Sequence, residues 1–264
     1  MKILFDSNVW RLVASPDKFP NDPSIEACRK IKENIEKGYI VPYLAETMFT
    51  IESIKRKNRK EFISKYKPQI ICTERDQNGS IINTSKIVKE YSMHPGNHPI
   101  LAEHLNDAIS LGFKIVRCPR IAGIINPEIE KLRFKITGND LNNYHTKLFE
   151  VCGKIESKGA GFDHIKIIGE EYDPIWIKGI DKAPDEEWPK ISKAMAEWAD
   201  GDSVAISIAL ECDYFCTRDK AINAGEKSVL SEVNLNWLNE EYNFKTVTPD
   251  ELLIEIFEIT IHNK

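Results

Sequence analysis

No CxxC pair, no stretch approaching the roughly 18 apolar residues of a membrane span, and no excess of positive charge occur in this chain of 264 residues. Each absence excludes something. Without paired cysteines, the six thiols (Cys28, Cys72, Cys118, Cys152, Cys212 and Cys216) read as free residues in or near the core. Cys212 and Cys216 straddle a helix-to-strand junction, which argues against a metal site there. The six histidines offer one close pair, in "HPGNH", where Pro95 and Gly96 prevent His94 and His98 from sharing a helical face. Neither GxxxxGK[ST] nor a GxGxxG between strand and helix is present, so phosphate-cradling nucleotide loops are excluded. A net charge of −5 argues against coating nucleic acid or membrane by bulk charge, although a local basic groove is compatible with it. The apolar start, Ile3 to Phe5, stops at Asp6, too short for a secretory leader. A soluble, cytoplasmic protein is expected.

What is present is an α/β pattern split between the two ends of the chain. Ile3–Phe5 reads as a buried strand. "PSIEACRKIKENIEKG" reads as an amphipathic helix with Ile25, Cys28, Ile31 and Ile35 on one face and Gly38 as its stop. "YIVPY" gives a second strand and "LAETMFTIESIKRKNRK" a second helix. Late in the chain come the small-residue helix "DSVAISIALE", the strand "YFCT", and "FKTVTPDELLIEIFEI" as a last strand and helix. That last helix opens on a capping box, Thr248 with Glu251, and Pro249 at its first position. Alternating strands and helices imply parallel strands joined by crossovers. The expectation is one discontinuous domain with a core of residues 1–60 and 187–264. Residues 61–186 form a mainly helical or irregular insertion, with helices in "HPILAEHLNDAISLG" and "NDLNNYHTKLFEVCGKIESKG".

Ligands of open α/β sheets sit beyond the carboxyl ends of the strands. Asp6 and Asp219 each follow a strand, Glu46 starts the helix after "YIVPY", and Asp202 opens "DSVAISIALE". Singly, each acid has a structural reading as a turn or helix-cap residue. Asp200 is given a supporting place, and Glu52 is read as solvated. As a set they are costly, because two carboxylates about 5 Å apart repel by about 3 kcal/mol at an effective dielectric near 20. Oxygen-only donors suit Mg²⁺ or Mn²⁺, which activate water and stabilise the charge of phosphodiester cleavage.

"ILFDSN", "PYLAE", "DSVAISIAL" and "YFCTRD" resemble, in order and context, the four acidic motifs of PIN-domain ribonucleases, and "VTPDELL" resembles the family's closing strand and helix. The likeness covers about residues 1–60 and 187–257 and leaves the long middle aside. It implies a three-layer fold with a central parallel sheet flanked by helices. It also implies a metal-dependent endoribonuclease whose Asp6, Glu46, Asp202 and Asp219 bind Mg²⁺ or Mn²⁺, with Ser7, Asn8 and Thr217 in support. RNA is the implied substrate. Because many members are toxins of toxin–antitoxin pairs, an inhibitory antitoxin is an implied partner; a homodimer is compatible. A catalytically silent RNA-binding or assembly module and a DNA-cutting nuclease are the alternatives. Phosphatases of the haloacid dehalogenase type need a second Asp where Asn8 stands, and the acid pair of a response-regulator receiver is missing. The basic run Lys55, Arg56, Lys57, Arg59 and Lys60, continuing to Lys65 and Lys67 around Phe62 and Tyr66, suits a single-stranded backbone or a plain solvated helix end.

Overall fold

The computed structural model describes residues 1–54, 58–59, 62, 69–77, 80–88, 94, 99–118, 126–219 and 228–262. A five-stranded, all-parallel sheet runs through its centre. The strands are β1 (Lys2–Phe5), β2 (Val41–Ala45), β5 (Lys114–Val116), β6 (Tyr214–Cys216) and β7 (Thr246–Val247), in the order β5-β2-β1-β6-β7. Successive side chains of a strand point to opposite faces. Ile3, Leu4 and Phe5 are nevertheless all fully buried, so both faces of the sheet are covered, as parallel sheets require. This is the expected three-layer α/β class.

Ten α-helices are described: α1 (Trp10–Ala14), α2 (Ile25–Glu36), α3 (Pro99–Leu111), α4 (Pro127–Glu130), α5 (Asn139–Ser157), α6 (Phe162–Glu170), α7 (Trp176–Lys182), α8 (Trp188–Ala209), α9 (Glu232–Tyr242) and α10 (Pro249–His262). The expected apolar stripe of α2 is buried, and Gly38 ends the turn after it with φ +76°. The capping box of α10 also forms: the Thr248 amide donates to Glu251 Oε2 at 2.7 Å, and the Glu251 amide to Thr248 Oγ1 at 3.3 Å. In one group, α2 packs on α1 and α10, and α1 on α3. In another, α8 lies against β1, β2 and β6 and carries α5 and α6.

Two features depart from the expected division. Lys114–Val116, from the middle segment, joins the sheet as an edge strand beside β2. Its Ile115 and Val116 are fully buried, so three residues suffice once β2 offers an unpaired edge. The middle also supplies an antiparallel ribbon, β3 (Gln69–Gln77) with β4 (Ser80–Val88). A second apolar cluster, with Ile51, Ile54, Phe62, Ile168, Met195 and Trp198, lies beneath the first half of α8.

Candidate metal centre

Asp6 is positioned by register. Phe5 pairs with Cys216, so Asp6 and Thr217 leave the sheet side by side at its carboxyl edge. The Asp6 carboxylate, 3% exposed, accepts from the Ser7 amide (2.6 Å), Asn8 Nδ2 (2.9 Å) and the Thr217 hydroxyl (2.5 Å). Thr217 Oγ1 in turn accepts from the Asp219 amide at 3.0 Å, and Asn8 Oδ1 from the Arg218 amide at 3.0 Å. Ser7, Asn8 and Thr217 therefore tie the end of β1 to the chain carrying Asp219. Burial pushes the Asp6 pKa up, the Thr217 and Ser7 hydrogen bonds oppose this, and the charge of Asp219 adds to the rise.

The segment after β2 is a single π-helical turn, Met48–Glu52, closed by the Ser53 amide on the Met48 carbonyl at 2.9 Å. Such turns are uncommon and concentrate at functional sites. This one keeps its loosened carbonyls satisfied with side chains. Asn126 Nδ2 donates to the Phe49 carbonyl (3.2 Å), and Arg59 donates to the carbonyls of Glu52 (2.7 Å) and Ile54 (3.0 Å). The turn aims Glu52 at Asp6. Burial first, then the charge of Asp6, pushes the Glu52 carboxyl up to about 8, against the pull of Arg59 and a Ser7 hydrogen bond.

From the other side comes α8. It begins at Trp188, so Asp202 is a mid-helix residue and not a cap. Residues two apart on a helix diverge by about 200°. Asp200 and Asp202 therefore face different surroundings. Burial, then the charges of Glu52, Asp6, Glu197 and Asp219, holds the Asp200 carboxyl well above its ordinary range. Asp202 is fully buried and faces α5. There, burial and the Cys118 and Cys152 thiols, followed by Asp202 and Glu46, hold the Tyr144 phenol well above its usual value.

Four residues thus change place relative to expectation. Glu46 lies at the carboxyl end of β2 but is held by Arg133, whose Nε donates to Oε1 at 2.9 Å with a second contact from Nη2. Both side chains are nearly buried, so Glu46 serves a buried ion pair. Asp202 lies within reach of Tyr144 on α5, whose phenol also senses Glu46. Glu52, expected in solvent, is part of the acidic group, and Asp200 moves from support to membership. Glu197, one turn before Asp200, was missed altogether; the i, i+3 spacing in "EWAD" was its signal. Arg59, expected on an RNA-binding face, is 8% exposed and spends its guanidinium on backbone carbonyls. Phe62 is buried in the second apolar cluster. Lys55, Arg56, Lys57, Lys60, Lys65, Tyr66 and Lys67 lie outside the described residues.

Asp6, Glu52, Asp200 and Asp219 form one mutually repelling group at the sheet edge, with Glu197 adjoining. The donors are all carboxylate oxygens, the chemistry that fits Mg²⁺ or Mn²⁺ and not a soft metal. The raised pKa values of Asp6, Glu52 and Asp200 also fit, because a cation relieves the repulsion that burial intensifies. Among the described residues, no trio of His, Cys, Asp or Glu already stands poised to hold one ion. A cavity of about 320 Å³ opens beside Thr217 and Asp219, walled by Leu230, Leu235, Asn236 and Val247. Among the described residues no helix is long and apolar enough to cross a membrane. No family model, no curated protein and no solved structure matches this chain.

Proposed function

We propose that this protein is a divalent-metal-dependent nuclease of PIN type that hydrolyses RNA phosphodiester bonds endonucleolytically. The observation that carries the reading is the convergence of Asp6, Glu52, Asp200 and Asp219, from four separate elements, on the carboxyl edge of a parallel sheet. Gathering like charges is expensive where Asp6 is buried and Glu52 and Asp200 are half-buried, with Asp219 at the exposed rim. Among the described residues, the group has no imidazole or thiol that would serve as nucleophile or base. Mg²⁺ or Mn²⁺ bound there would supply an activated water and neutralise charge developing on the phosphate. Asp6, Glu52, Asp200 and Asp219 would hold the ion. Ser7, Asn8 and Thr217 orient Asp6 through their hydrogen bonds, and Thr217 also fixes the backbone at Asp219. The cavity beside Asp219 gives a single strand room to approach. As a PIN-type ribonuclease the protein would act in the cytoplasm, with an antitoxin as its candidate inhibitor.

The test is incubation of the purified protein with single-stranded RNA and, separately, DNA of the same sequence, in Mn²⁺, in Mg²⁺ and in EDTA. RNA should be cut internally with either ion and left intact in EDTA. Cleavage of DNA alone would favour the DNA-cutting alternative, and no cleavage of either polymer, with the wild type equal to Asp200→Asn, would sink the nuclease reading.

A further inference from the structure

Glu197 adjoins this group without a place in it. It lies three residues before Asp200 on α8, hence on the same helical face. The residue is buried, at 6% exposed. The Ser228 hydroxyl and the Val229 amide approach its carboxylate as donors, from the loop that leads into α9. Its Oε2 is different. That oxygen is sealed from solvent and has no hydrogen-bond partner among the described residues. The charges around the carboxylate are Lys193 on its own helix and Asp219 across the site, and Asp200 senses Glu197 in turn.

Leaving a buried carboxylate oxygen without a donor is unfavourable, because its desolvation is not compensated. Bulk water does not reach this one. A proton, an ordered water or a cation can satisfy it. A like-charge pair at i, i+3 is unfavourable even on an exposed helix, and here three further acids stand nearby.

Resting on the metal-site reading above, we propose that Glu197 is a fifth carboxylate of the cation site, with Oε2 held ready by Ser228 and Val229 to coordinate a divalent ion beside Asp200 and Asp219. The competing role is that of a protonated acid that only anchors the 228–231 loop to α8. Glutamine separates the two. It preserves shape, burial and an acceptor for Ser228 and Val229, and it imitates a protonated acid while losing the anionic oxygen.

The experiment measures Mn²⁺ binding by isothermal titration calorimetry, and melting temperature in EDTA, for wild type, Glu197→Gln and Asp202→Asn. Glu197→Gln should weaken Mn²⁺ binding by about tenfold or more, the scale for loss of a group at a metal site. Its melting temperature in EDTA should be equal to or above that of wild type. Asp202→Asn should leave Mn²⁺ binding unchanged and so control for a general effect of removing charge from α8. If Glu197→Gln binds Mn²⁺ as tightly as wild type, the inference is overturned while the nuclease reading stands. If it melts markedly lower in EDTA, the anchoring role is the correct one. Failure of wild type itself to bind Mn²⁺ removes the metal-site reading, and this inference with it.

Discussion

Asp6 receives three hydrogen bonds and repels at least one neighbouring carboxylate, so its two functions can be separated by substitution. Asp6→Asn is expected to abolish RNA cleavage. Its melting temperature in EDTA should not fall, because removing one charge from a repelling group offsets the donor it misplaces. An EDTA melt well below wild type would assign Asp6 a structural role. Glu46 is the contrasting residue. With Arg133 10% and Glu46 5% exposed at the side chain, neither partner can recover solvation if the other is removed. Glu46→Gln should cost about 3–5 kcal/mol in a urea denaturation curve, with Mn²⁺ affinity unchanged. Combining it with Arg133→Met should cost less than the two single changes added together, since the double variant strands no charge.

At the scale of elements, α8 decides which acids meet. Its phase turns Asp200 toward β1 and Asp202 toward α5, and Gly201 between them sets how closely the helix approaches the α5–α6 connection. A Cβ on Gly201 would stand 3.0 Å from the Gly161 Cα, against backbone that cannot swing away. Gly161 itself has φ +62°, so that connection has little freedom to adjust. Gly201→Ala is therefore expected to destabilise the protein by about 1–3 kcal/mol, as overpacking does. It should also weaken Mn²⁺ binding by displacing Asp200, although Gly201 bears no ligand. Calorimetric melting and Mn²⁺ titration of this one variant check both statements; normal affinity in a destabilised protein would show that the helix tolerates the shift. The π turn plays the matching part for Glu52, since a turn closed from Ser53 to Met48 alters the direction of every side chain after it.

For the molecule as a whole, the acidic group makes stability depend on pH in an unusual direction. Glu52 has an ordinary value of 4.5 and a folded one of about 8. Asp6 and Asp200 are also raised. A carboxyl with a raised folded pKa binds more protons when folded than when unfolded. Its contribution is complete below the unfolded value and is lost as pH climbs through the folded one. Between pH 4.5 and about 8 the metal-free protein should thus lose the stability tied to Glu52, and its melting temperature in EDTA should decline across that range. Mn²⁺ should reverse the decline, because the ion binds the deprotonated folded form and its affinity rises with pH. A melting temperature in EDTA that is flat or rising from pH 5 to pH 8 would contradict the raised pKa values of these acids.

Much of the architecture follows from short-range chemistry and was legible in the chain. The apolar run Ile3–Phe5, the stripe of α2, and the Thr248–Glu251 box each depend on residues within a few positions of one another. The sequence by itself thereby determined the strand–helix alternation, the parallel sheet and the carboxyl edge where Asp6 and Asp219 stand. The membership of the acidic group was not legible to the same degree. Glu46 and Glu52 both follow β2, and the choice between them depends on Arg133, which meets Glu46 only in the folded chain, and on a π turn stabilised by Asn126 and Arg59. Asp200 and Asp202 are equivalent as letters. Only the packing of α8 against α5 on one side and the π turn on the other sets the helix rotation that separates them. Tertiary structure decided these points because a side chain's direction is fixed by contacts made across the fold, whereas its tendency to form helix or strand is set by near neighbours.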